Sequence, residues 1–87
     1  MDAFNVRLST TARKDLSRLS DPLVKRVVAV LRDLSADPFS AQSSKLSARD
    51  EYRARVGDYR IVYEVNKHTK VVVVHRIRHR REVYRRL

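Results

Sequence analysis

The chain contains a single glycine, and it falls between two runs of alternating apolar and charged residues. Before Gly57, Tyr52, Ala54 and Val56 alternate with Arg53 and Arg55; after Asp58, Tyr59, Ile61, Tyr63 and Val65 alternate with Arg60, Val62 and Glu64. Successive side chains of a strand point to opposite faces, so each run has one face that can enter a core. Two such runs separated by Gly-Asp predict a tight β-hairpin, the glycine supplying the positive φ that a two-residue loop demands. The turn then fixes the register: Val56 opposite Tyr59, Arg55 opposite Arg60, Arg53 opposite Val62. Arg53, Arg55 and Arg60 are expected to emerge from one polar face, so that removing Arg60 leaves no cavity and holds or raises stability. Like charges directly opposite one another destabilise a ladder. Keeping two arginines cross-strand makes sense if an anion normally sits between them, since guanidinium groups bind phosphate bidentately. The competing reading is a solvated face softened by Glu51 and Glu64.

The rest of the chain supplies a small domain around this hairpin. Phe4, Val6 and Leu8 alternate with Asn5 and Arg7, a short strand. Ala12, Leu16 and Leu19 then recur at helical spacing, predicting a helix over about 11–19 with Ser9 or Thr10 as N-cap. Asp21 at an N-cap and Pro22 at N1 open a second helix whose apolar positions Leu23, Val27, Val30, Leu31 and Leu34 continue to about Ala36. The serine-rich segment 39–50 lacks periodicity and reads as a loop. Asn66 to Lys70 is a second turn, and Val71 to Val74, apolar on both faces, suits a central strand lying between the Tyr59 and Phe4 strands. The expected fold is α+β: a β-α-α-β-β-β order, a four-stranded and mostly antiparallel sheet, a helical hairpin on one face, and one domain over residues 1–87.

Charge narrows the function. Twenty Lys and Arg against ten Asp and Glu give +10. Residues 1–44 hold seven basic and five acidic groups, a net +2, and residues 45–87 hold thirteen and five, a net +8. The hairpin half is therefore where a polyanion such as RNA, DNA or an acidic protein is expected. With no cysteine there is neither a disulfide framework nor a thiolate nucleophile. No apolar stretch approaches a membrane span and no signal-peptide pattern opens the chain, so a cytoplasmic protein without membrane contact is expected. His68, His75 and His79 come with no carboxylate cluster, so no metal site or other cofactor is expected. Asp58 is consumed by the turn, and Glu64 and Glu82 lack an obvious neighbour for acid–base work.

What remains is a constellation of cations plus a phenol: Arg53, Arg55, Arg60, Arg78, His79, Arg80 and Tyr84. Such a set suits one reaction without a metal. RNA carries its own nucleophile, the 2′-OH, so a catalyst need only align it with the adjacent phosphorus, stabilise the pentavalent charge and move two protons. A plain anchoring role for Tyr84 at the sheet edge is the competing reading of that residue.

The strings YRARVGDYRIVYEV and VVVVHRIRHRREVYR resemble the second half of the RelE/ParE superfamily of toxins from toxin–antitoxin modules, and most closely its RelE branch. Tyr52, Arg53, Arg55, Gly57, Asp58, Tyr59, Arg60 and Tyr63 match one family motif, and Arg76, Ile77, His79, Arg80, Val83 and Tyr84 match another. Arg78 stands where the family usually has glycine. The resemblance implies the β-α-α-β-β-β order and a ribosome-dependent mRNA endonuclease that inhibits translation. It further implies that Arg60 holds the scissile phosphate, that Tyr84 or a cation of depressed pKa activates the 2′-OH, and that Arg80 or Arg78 assists the leaving oxygen. Arg53, Arg55, His79 and Arg81 are the expected phosphate contacts. The implied partners are the ribosome, mRNA and a cognate acidic antitoxin, with operator DNA reached only through the antitoxin complex. Two alternatives stand beside this: a ParE-type toxin that inhibits DNA gyrase without cutting anything, and a non-catalytic basic RNA-binding protein. The pairing of Arg60 with Tyr84 argues against the ParE type, which generally lacks it.

Overall fold

The computed structural model describes residues 3–39, 43–45 and 51–79. In chain order these form β1 (Asn5–Leu8), α1 (Thr10–Ser17), α2 (Asp21–Ala36), β2 (Ser43–Lys45), β3 (Glu51–Val56), β4 (Tyr59–Asn66) and β5 (Val71–His79). The strands make one sheet in the order β1-β5-β4-β3-β2, with β1 parallel to β5 and every other pairing antiparallel. The expected α+β fold and the position of β5 between β4 and β1 are both present. One element is added: among the described residues the sheet has a fifth strand, because Ser43–Lys45 of the expected loop pairs with Tyr52–Ala54 at the β3 edge. Three residues are too short a run for alternation to appear in a sequence.

Local chemistry explains the helix ends. Ser9 caps α1, its Oγ accepting from the Ala12 amide at 3.0 Å. The N-cap of α2 is Ser20, one residue earlier than expected, which places Asp21 and Pro22 in the first turn, where a negative charge and a missing N–H both suit the helix. The β-branched run of α2 is held by packing, with Val27 fully buried and Leu34 nearly so.

The core lies between the helical pair and one face of the sheet. Ala12, Val27 and Leu34 meet Ala54, Val56, Ile61, Tyr63, Val65, Val72, Val74 and Ile77. Tyr63 is wholly buried, and its hydroxyl donates to the Pro38 carbonyl at 2.7 Å, so its one polar atom is satisfied. The C-terminal turn of α2 is tied to the chain entering β1 twice: the Phe4 amide donates to Ser35 O, and Ser35 Oγ donates to Phe4 O, each at 2.8 Å.

The hairpin has the expected register, with Val56 opposite Tyr59, Arg55 opposite Arg60 and Arg53 opposite Val62. Gly57 has φ +58° while Asp58 is not in the positive-φ region, the pattern of a type II′ turn. A Cβ at Gly57 would lie 3.4–3.8 Å from the Arg26 guanidinium, which is ordinary contact. The obstacle to substitution is thus the backbone. Gly57→Val should lower stability by about 1–3 kcal/mol, because a β-branched residue is strained at this φ; equilibrium urea unfolding checks it, and an unchanged midpoint would contradict the turn.

Candidate nucleic-acid interface

The hairpin register continues onto β5 and gathers the arginines into rows. Arg55 lies opposite Arg60 and Arg60 opposite Arg78, so three guanidinium side chains line up across three strands. In the next row Arg53 and Arg76 flank Val62.

Strict alternation along β5 would not have produced this arrangement. Val72 and Val74 are buried, and continuing their parity would send Arg76 and Arg78 into the core. A β-bulge intervenes: Val62 opposes Arg76 while Tyr63 opposes Val74, so His75 is the extra residue. Past it the parity reverses. Ile77 opposes Ile61 in the core, and Arg76 and Arg78 join the polar rows.

Helix α1 holds the bulged segment from outside. β1 pairs with β5 only as far as Val74, opposite Leu8. Beyond that point Ser9 donates its amide to Val74 O at 2.9 Å and its Oγ to His75 O at 3.0 Å. Asp15 completes the edge: its Oδ2 accepts from the Ile77 amide at 3.0 Å and from Arg76 Nε at 2.9 Å, while Oδ1 takes Arg76 Nη2 at 3.3 Å. This carboxylate, only 7% exposed, is therefore fully engaged. Sequence reasoning missed it. The available signal was a carboxylate three residues after Ala12, on the apolar stripe of α1.

Arg60 corrects an expectation. Instead of standing free on the polar face it is only 3% exposed, and its Nη1 donates to Tyr59 O at 3.1 Å and to Gly57 O at 3.4 Å. The guanidinium is thereby fixed against the hairpin turn, and truncating it would leave a gap and remove a donor from two carbonyls. Arg55 is exposed, and Arg53 and Arg78 are half-buried. His79 opposes Tyr59 rather than an arginine and meets its ring edge-on at 5.5 Å, which places it outside the Arg55–Arg60–Arg78 row. Glu64, expected to lack a neighbour, has one: the extra residue His75 brings its Nε2 to 2.9 Å from Glu64 Oε2, an exposed contact of small energetic weight. His68 lies exposed in the 67–70 turn, where the Asn66 side chain accepts the His68 and Thr69 amides. Arg80, Arg81, Glu82 and Tyr84 lie outside the described residues. Among the described residues no group of His, Asp and Glu is arranged to hold a metal ion.

A mixed sheet backed by a helical hairpin is an α+β architecture that solved structures share. The chain superimposes on the RelBE2 toxin–antitoxin complex of Mycobacterium tuberculosis with TM-score 0.80 and 33% identity, covering 91% of this chain and 93% of that one. It matches the archaeal RelE–RelB complex of Pyrococcus horikoshii with TM-score 0.79 and 26% identity over 90% and 96% of the two chains. By sequence it is 34% identical over 85 residues to the toxin RelG of Mycobacterium tuberculosis, covering 95% of this chain and 98% of that protein. A family profile described as the ParE toxin of the type II toxin–antitoxin system parDE matches residues 6–84. The chain belongs to this RelE/ParE family of type II toxins, within which its relatives are RelE-like.

Two stability changes follow from the geometry. Asp15→Ala should cost about 1.5–3 kcal/mol, the weight of charge-assisted bonds to a mostly buried carboxylate, and should strip hydrogen-exchange protection from the Ile77 amide before that of Ile61. Arg60→Ala should lower the melting temperature rather than hold or raise it. Native-state exchange by NMR and a thermal melt read the two effects, and an Ile77 amide as protected as before would contradict the clip.

Proposed function

We propose that this toxin is a ribosome-dependent endoribonuclease that cuts mRNA and so arrests translation in the cytoplasm. The observation that carries the reading is the Arg55–Arg60–Arg78 row, three arginines at opposite register positions across three strands. Mutual repulsion makes such a row costly unless an anion lies along it. Phosphate is the anion guanidinium groups match, and a phosphodiester with a neighbouring 2′-OH needs no external nucleophile.

In this mechanism the 2′-oxygen attacks the adjacent phosphorus, the P–O5′ bond breaks, and the products are a 2′,3′-cyclic phosphate and a 5′-hydroxyl. Arg60 is pre-organised for the developing charge: Nη1 is committed to the turn carbonyls, so Nε and Nη2 are the atoms that meet the phosphate. Tyr84 takes the proton of the 2′-OH, and Arg80 or Arg78 assists the departing 5′-oxygen. Arg53 and Arg55 hold flanking phosphates, with His79 and Arg81 as further contacts. No metal is required, because the cations supply the charge stabilisation.

A cognate antitoxin is the proposed protein partner, since the related chains above were solved as toxin–antitoxin complexes. Its chemistry should be acidic and partly disordered, covering the cationic rows until it is removed. Operator DNA would be reached only through that complex. The description of the matching family profile favours a second reading, a ParE-type toxin that inhibits gyrase by binding.

One experiment separates the two. Brief induction should stop protein synthesis, be relieved by the antitoxin encoded beside it, and give discrete mRNA cuts by primer extension. Continued synthesis with gyrase poisoned would establish the second reading instead. On programmed ribosomes, Arg60→Lys and Tyr84→Phe should each slow single-turnover cleavage by about 10²–10³-fold, the usual effect of losing one pre-placed group. Melting temperatures on the same preparations separate lost chemistry from lost fold. Near-normal cleavage by Tyr84→Phe would return Tyr84 to an anchoring role.

A further inference from the structure

Between the end of α1 and the far half of β5 lies a cleft of about 130 Å³ whose lining includes Asp15, Arg18, Tyr59, Arg76, Arg78 and His79. Apart from Arg78 at its boundary and His79, the reaction proposed above does not use it. Three guanidinium groups and an imidazole converge there against one carboxylate, and that carboxylate is already committed. Asp15 accepts from Arg76 Nε at 2.9 Å and Nη2 at 3.3 Å, which fixes Arg76 in the wall instead of leaving it to fold over the surface. Arg18 stands at the C-cap of α1 with an exposed side chain. With three arginines in it, the lining is richer in donors than in acceptors, which suits a ligand that mainly accepts hydrogen bonds. A nucleobase needs both kinds of partner; a phosphate needs only donors. The Tyr59 ring is met by His79 edge-on at 5.5 Å, so the two rings are not laid out as parallel stacking surfaces.

We propose that this cleft is a second phosphate site, taking a backbone phosphate of the RNA strand beyond Arg78, with Arg76 as its fixed inner ligand and Arg18 as its outer one. The site rests on the reading of RNA as substrate and deepens it. Because Arg78 lies opposite Arg60 and also lines the cleft, a strand held along the arginine row passes into it at the edge of β5. The strand would thus be gripped on both sides of the reacting phosphate, which fixes its direction across the sheet.

Arg18 has a purely structural alternative, a favourable charge at the end of α1, and the salt dependence of binding distinguishes the two. The probe is a fluorescent single-stranded RNA carrying 2′-O-methyl groups throughout, which offers no nucleophile and cannot be cut. Its affinity is measured by anisotropy between about 50 and 200 mM salt for the intact toxin, Arg18→Ala and Arg13→Ala, where Arg13 is an exposed residue of α1 outside the cleft lining. The slope of log K against log salt should fall by about 0.7 in Arg18→Ala, the loss of one phosphate contact on a single strand, and stay unchanged in Arg13→Ala. An unchanged slope for Arg18→Ala, or an equal fall for Arg13→Ala, overturns the second site and leaves the RNA reading standing. No binding of this free RNA by the intact toxin also overturns the second site, while the ribosome-dependent reading is decided separately by the primer-extension experiment above.

Discussion

The polar face of this sheet depends on one irregularity in β5. Ahead of the bulge at His75 the even-numbered valines are buried; after it the odd-numbered Ile77 is, and Arg76 and Arg78 are turned outward. A one-residue change of register in a strand exchanges its two faces, so losing the bulge would bring two arginines into the core and lift Ile77 out of it. That cost makes the bulge a fixed feature. It is also held from the side, where β1 has ended: Ser9 and Asp15 bond the backbone at Val74, His75 and Ile77. Helix α1 thus does for the second half of β5 what a strand does for the first. Its N-cap serine has two tasks, closing the helix and closing the sheet.

The charge arrangement stands in tension with stability. Like charges opposite one another on neighbouring strands destabilise a ladder, and Arg55, Arg60 and Arg78 occupy successive opposite positions. Two local devices lower the cost. Arg76 is neutralised by Asp15, and Arg60 turns its Nη1 onto two carbonyls of the hairpin. Both devices also immobilise the guanidinium groups they relieve, and a fixed cation loses less entropy on meeting a phosphate than a mobile one. Any anion bound to the folded state would add stability by mass action.

Much of this was legible in the sequence because the hairpin is a local structure. One glycine between two alternating runs sets the turn, the turn sets the register, and the register places Arg55 opposite Arg60. Other features depended on contacts far apart in the chain. The parity of Arg76 and Arg78 required the bulge, which shows in the sequence only as a shift of the apolar positions from 72 and 74 to 77. Asp15 lies on the apolar stripe of α1, but the groups it bonds, Arg76 and the Ile77 amide, stand some sixty positions along the chain. The burial of Arg60 was not legible at all, because alternation gives the face a side chain leaves from and not how far it folds back. The three residues of β2 carry no pattern that separates them from a loop.

The cationic rows are proposed to act on a phosphodiester whose own 2′-OH is the nucleophile. This chemistry is tested most directly by programming ribosomes with an mRNA that carries a single 2′-deoxy nucleotide on the 5′ side of the mapped cut and following cleavage by the intact toxin. Loss of cleavage at that bond, with unmodified mRNA cut to a 2′,3′-cyclic phosphate, is the result expected here. Cutting of the deoxy-substituted bond at the normal rate would contradict it.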